Sequence, residues 1–147
     1  MNVVADTNVV ISAIFWPGDS RECLVLWARR RFHLAVSVPI LEEYSEVAHR
    51  LARRLSEVDP EPWLKWIERK ARVYEPAPLG RPRSRDPEDD PFLACALACG
   101  AKFIVSKDED LLALEKPFGI EILPPRQFLA RFGTTGQLQR ICNWPLT

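Results

Sequence analysis

Short apolar runs alternate with stretches of helical period along most of the chain. Residues 2–5, Asn-Val-Val-Ala, form a short buried strand that ends at Asp6. Residues 9–16 continue as an apolar helix stopped by Pro17-Gly18. Ser20 can cap a second helix, with Cys23, Leu24, Trp27 and Ala28 on one face. Residues 32–36 are β-like, and Ser37 then opens a helix with Pro39 in its first turn. Ile40, Leu41, Tyr44, Val47, Ala48 and Leu51 face inward along it.

Pro60 and Pro62 start a further helix holding Trp63, Trp66 and Ile67, followed by a strand over 71–74. The Pro- and Arg-rich stretch 76–87 reads as a loop and the best mobile segment of the chain. Asp90-Pro91 opens a compact helix over 92–99, closed by Gly100. A strand over 102–105, a helix over 108–115, a strand over 120–123 and a helix over 125–132 follow. Strands alternating with helices predict one α/β domain, a parallel, doubly wound sheet covered on both faces. The period is lost from Gly133, so residues 1–132 form the domain and 133–147 a tail with no assigned role.

Composition changes this picture little. The apolar fraction of 47% is ordinary for a globular protein, and no apolar run is long enough to span a bilayer. The N-terminus lacks the pattern of a secretory signal, so a cytoplasmic location without membrane attachment is expected. Cys23, Cys95, Cys99 and Cys142 include no CxxC pair, and Cys95 and Cys99 read as small buried hydrophobes. The 20 basic and 20 acidic side chains cancel, yet they are unevenly spread. Ten Lys or Arg stand between Arg50 and Arg85 against five acids, whereas acids prevail from Asp86 to Asp110. A basic flank beside an acidic pocket suits a polyanion held next to metal ions; a solvated helix face would show the same charges.

Four acids recur at matched edges of the pattern. Asp6 ends the first strand, Glu43 lies early in the helix after the second, Asp90 starts the helix before the fourth, and Asp108 follows that strand with Asp110 just beyond. Ligands of open parallel sheets bind at the carboxyl ends of the strands, where strand order reverses. Clustered carboxylates raise one another's pKa unless a cation is present, and hard Mg²⁺ or Mn²⁺ ions prefer such oxygen ligands. A metal site of this kind activates water against a phosphate. Capping is the competing reading: Asp90 before Pro91 and Asp108 both suit an N-cap, and Asp6 can belong to a plain strand-to-helix turn. His33 and His49 sit near no nucleophile elbow, and glycine-rich phosphate loops are absent.

At these residues the chain resembles the PIN-domain family, in its toxin–antitoxin branch akin to VapC. The matching segments are Val4-Ala5-Asp6-Thr7-Asn8-Val9-Val10, Ile40-Leu41-Glu42-Glu43-Tyr44, the run from Arg85 to Ala94, and the run from Ile104 to Leu112, with a weaker echo from Ile122 to Leu129. The resemblance implies a five-stranded parallel sheet flanked by helices and a ribonuclease using Mg²⁺ or Mn²⁺, with 5′-phosphate and 3′-hydroxyl products. Carried over by motif, the acids fall on Asp6, Glu43, Asp90 and Asp108, with Asp110 as a secondary ligand. Asp89 and Asp86 are the alternatives to Asp90. Asn8 and Ser106 match the small polar residues that orient the first and fourth acids. Arg50, Arg53, Arg54, Arg81, Arg83 and Arg85 are the candidates for RNA phosphate contacts. The resemblance further implies a homodimer and, for a toxin, a small antitoxin partner. A housekeeping RNA-processing nuclease, an Mg²⁺-dependent phosphatase and a non-catalytic binding module are the alternatives; the phosphatase is disfavoured by Asn8 at the position of its second Asp.

Overall fold

The computed structural model describes residues 1–55 and 57–133. The expected tail, apart from Gly133, lies outside the described residues, as does Cys142. Five strands form one parallel sheet: β1 (Asn2–Ala5), β2 (His33–Val36), β3 (Arg72–Val73), β4 (Phe103–Val105) and β5 (Glu121–Leu123), in the order β3-β2-β1-β4-β5. Seven α-helices are described: α1 (Thr7–Phe15), α2 (Asp19–Ala28), α3 (Val38–Ala52), α4 (Glu61–Lys70), α5 (Asp90–Cys99), α6 (Glu109–Leu112) and α7 (Pro125–Phe132). The expected α/β architecture with a five-stranded parallel sheet is the one observed. Val3, Val4 and Ala5 of β1 are all buried, as are the three residues of β4. Consecutive strand residues point to opposite faces, so both faces are covered.

Strand order decides where a site belongs. From β1 the chain steps outward through β2 to β3, then returns across β1 to add β4 and β5 on the other side. Order therefore reverses between β1 and β4, which pair in register Ala5 with Val105. The crevice at their carboxyl ends is the topological switch point. Asp6 and Ser106, the next residues on each strand, stand there.

The helices are seated by apolar stripes and capped by local chemistry. Ile40, Tyr44 and Ala48 are the buried face of α3, and the Ser37 side chain accepts from the Ile40 N–H at 3.4 Å. The fully buried Tyr44 hydroxyl donates to the Ala5 carbonyl, fixing α3 against the end of β1. Phe128 of α7 is buried edge-on to Phe32 and Phe103, with centroids 5.4 and 6.4 Å away. Gly100 closes α5 at φ 67°, the left-handed conformation expected of a glycine there.

Four local expectations change. Ser20 lies inside α2, and Gly18 precedes the helix with no side-chain cap. Ala28 is exposed, and the buried face of α2 is Cys23, Leu24, Val25, Leu26 and Trp27. Helix α6 stops at Leu112, short of 115, because Lys116 (φ 45°) and Phe118 (φ 54°) take left-handed backbone around a 3₁₀ turn at Pro117–Gly119. The loop over 76–87 ends in another 3₁₀ turn, Pro87–Asp89, and is fastened to α5: the Ala77 N–H donates to the Ala94 carbonyl at 3.1 Å. Among the described residues no helix is long and apolar enough to cross a membrane.

Removing the hydroxyl in Tyr44→Phe deprives the buried Ala5 carbonyl of a donor. It is expected to cost about 1–3 kcal/mol of stability, read as a lower urea midpoint at unchanged slope.

Candidate metal centre

Asp6 is 4% exposed and anchored from three sides. One carboxylate oxygen accepts from the backbone N–H groups of Asn8 at 2.6 Å and Val9 at 3.4 Å, capping α1. The other accepts from the Ser106 hydroxyl. The same Ser106 oxygen accepts the Asp108 N–H at 2.9 Å, so one buried hydroxyl joins the first acid to the fourth. Asp108 in turn accepts the Asp110 N–H at 2.9 Å, capping α6. Capping and clustering thus coincide at Asp6 and Asp108: the backbone N–H groups that begin a helix hold the carboxylates at the switch point.

Two further acids arrive from other elements. Glu43, in the second turn of α3, accepts from the Thr7 hydroxyl, which places it beside the residue following Asp6. Asp89, 6% exposed, ends the 3₁₀ turn that precedes α5 and accepts from the Ser84 hydroxyl at 3.2 Å. Asp89, Asp108 and Asp110 each offer a carboxylate oxygen within 4.8 Å of the others. Asp90 is turned elsewhere. Its oxygens accept the N–H groups of Ser84 at 2.9 Å and Arg83 at 3.2 and 3.3 Å, holding the Arg-rich loop onto the start of α5. Asp86 accepts the Glu88 N–H at 3.0 Å and caps the 3₁₀ turn. Of the three aspartates in this segment, it is Asp89 that the structure brings to Asp108 and Asp110.

The electrostatics follow from burial and like charge. Burial pushes the Asp6 carboxyl upward, hydrogen bonds from Ser106 and from the Asn8 and Val9 amides pull it back, and the Asp108 charge adds to the rise. Asp89 is pushed up to about 7, first by burial and then by its hydrogen bond and charge contact with Asp108. A proton shared near Asp108 relieves that repulsion; so would a cation. The donors are carboxylate oxygens with no imidazole or thiolate among them, the set that hard divalent ions prefer. The residues present fit such an ion.

Other expected residues lie as follows. Asn8 contributes its backbone amide, and its side chain is exposed. Arg85 pairs with Asp110 at 3.1 Å on the rim of the cluster. Arg83 donates to the Leu79 carbonyl at 3.0 and 3.3 Å and lies 4.9 Å over the Phe118 ring. Arg50, Arg53, Arg54 and Arg81 are exposed. Thr7 and Ser84 were not singled out from the sequence. Thr7 follows the first acid directly, and a hydroxyl there is the signal that could have marked it. Cys95 is buried, and among the described residues neither it nor Cys99 joins a metal-binding group.

The PIN domain family matches the chain over residues 2–110, and the chain belongs to that family. PIN domains are generally metal-dependent nucleases, and Asp89, Asp108 and Asp110 form an acidic group that could hold a metal ion. No curated protein and no solved structure matches the chain.

Because Asp6 and Asp89 bind protons more tightly in the folded protein than in the unfolded chain, their contribution to stability is full below the ordinary carboxylate value. It is lost as pH rises, for Asp89 through about 7. EDTA-treated protein should therefore show a melting temperature that falls between about pH 4 and about pH 7. Divalent cations should restore it at the upper end, and Asp89→Asn should flatten the profile. A flat profile in the unsubstituted protein would contradict this electrostatic assignment.

Proposed function

We propose that the protein is an endoribonuclease that hydrolyses RNA phosphodiester bonds with Mg²⁺ or Mn²⁺ held by Asp6, Asp89, Asp108 and Asp110, with Glu43 helping to bind from the facing helix. The observation that carries the reading is the convergence of Asp89, Asp108 and Asp110 within 4.8 Å, on the strand edge that Ser106 shares with Asp6. Divalent ions supply the Lewis acidity that makes water a competent nucleophile and offsets charge on the phosphate. Asp90, third acid by motif, is read here as a positioning residue: it fixes the backbone at 83–84, and through Ser84 the carboxylate of Asp89. Ser106 and Thr7 position Asp6, Asp108 and Glu43 by donating hydrogen bonds to carboxylates or accepting from the backbone.

RNA as substrate is supported by the motif resemblance and by cations that flank the acids. Arg85 stands on Asp110, and Arg81 is exposed on the same loop. These contacts position a strand by its phosphates and carry no sequence information. We further read the protein as the toxin of a toxin–antitoxin pair, a cytoplasmic homodimer restrained by a small partner protein. The support is the resemblance of the four acid-bearing segments to that branch of the family.

Asp6→Asn is expected to leave the fold intact and abolish Mn²⁺-dependent cleavage of total RNA, as EDTA does with the unsubstituted protein. Ser106→Ala should lower metal affinity or activity by about 10–100-fold. Asp89→Asn should cost more activity than Asp90→Asn. Persistent cutting by Asp6→Asn, or a larger loss at Asp90 than at Asp89, would count against the ligand set. Growth arrest on expression, relieved by co-expressing a short neighbouring gene, tests the toxin role; unhindered growth with active enzyme would favour a housekeeping nuclease.

A further inference from the structure

Outside the acidic cluster, α1 and the C-terminal half of α3 enclose a groove of about 450 Å³. One wall runs along α1 through Asn8 and Ser12, one turn apart, to Trp16, which ends the helix in extended backbone. Its apolar floor is Ile11, Val47 and Leu51, and its outer rim is Arg50 and Arg54. Both walls begin at the metal centre: the Asn8 amide holds Asp6, and Val47 lies one turn beyond Glu43. From Glu43 to its end at Ala52 the helix advances roughly 14 Å, and Arg54 lies just beyond that end.

Three features distinguish this groove from a solvated helix face. Trp16 is 49% exposed and lines the groove, so an open aromatic face is available to a flat ring. Among the described residues, Arg50 and Arg54 have no carboxylate within ion-pair distance, so two free cations line one rim. The Lys107 ammonium donates to Ser12 at 2.9 Å, adding a third cation at the end nearest Asp108. An apolar floor, an open aromatic face and a line of cations fit a polyanion that carries flat rings. Nucleotides with unpaired bases have that chemistry, whereas duplex RNA hides its ring faces.

We propose that this groove receives the single-stranded RNA beside the scissile phosphate, with a base stacked on Trp16 and phosphates on Arg50 and Arg54. The proposal rests on the ribonuclease reading and adds a substrate subsite to it. Of the three arginines of α3 and its end, Arg50 and Arg54 line the groove, and Arg53 is exposed outside it.

The test is binding of a 5′-labelled, unstructured oligoribonucleotide to the full chain in EDTA, followed by anisotropy across a salt series. Trp16→Ala should weaken binding about tenfold or more, with Trp16→Phe retaining most of it. Arg50→Ala and Arg54→Ala should each reduce the salt slope by about 0.7, and Arg126→Ala, exposed on α7 outside the groove, should change neither quantity. In Mn²⁺ the same variants should raise KM with little change in kcat. Unchanged RNA affinity, salt slope and KM in the groove variants would overturn the subsite while cleavage by the parent chain kept the nuclease reading. Groove variants that alter only the oligomeric state by light scattering would assign the surface to a protein contact and overturn it equally. A parent chain that neither binds nor cuts RNA would remove both readings.

Discussion

Negative charge crowded at the carboxyl edge of β1 and β4 is the constraint on which the rest of the structure turns. Asp6 and Asp89 are almost wholly removed from water and both feel Asp108. Alone, such a group would shed its charge by taking up a proton, and Asp89 does so near neutrality, at about 7. The fold tolerates the arrangement by surrounding each carboxylate with donors: backbone amides at the starts of α1 and α6, and the hydroxyls of Ser106 and Ser84. Those donors stabilise the charge only in part. A divalent ion held there would offset the deficit.

The supporting contacts have an economy that follows from topology. A doubly wound sheet with order β3-β2-β1-β4-β5 opens a crevice beside its central strand. Helices that follow parallel strands begin at that same edge, so their amide-rich N-termini surround whatever sits there. Asp6 and Asp108 exploit this twice, as caps for their own helices and as members of the cluster. Glu43 comes from the body of α3, and its place is set by Thr7 and by the neighbouring Tyr44, whose hydroxyl ties the helix to Ala5.

Much of this was legible in the sequence. The runs at 2–5, 32–36 and 102–105 read as strands, their central residues Val3–Ala5, Leu34–Val36 and Phe103–Val105 are buried, and Asp6 and Ser106 follow two of them. Which acid of the run from Asp86 to Asp90 meets Asp108 was not legible. Asp89 and Asp90 are adjacent, and about 100° of helical rotation separates their directions; which one meets Asp108 depends on the 3₁₀ turn at Pro87–Asp89, whose hand-over into α5 no spacing rule fixes. The motif placed the third acid at Asp90, while in the structure that carboxylate holds the Arg83 and Ser84 amides. The early end of α6 escaped for a related reason. Its apolar residues continue to Leu114, but the backbone turns left-handed at Lys116, a residue type that gives no such signal.

The most direct measurement is an anomalous-scattering map from crystals grown with Mn²⁺. The account predicts manganese at the carboxyl edge of β1 and β4, coordinated by Asp108 and Asp89, with Asp90 still on the loop backbone. Manganese bound by Asp90 with Asp89 turned away, or no manganese at that edge, would contradict it.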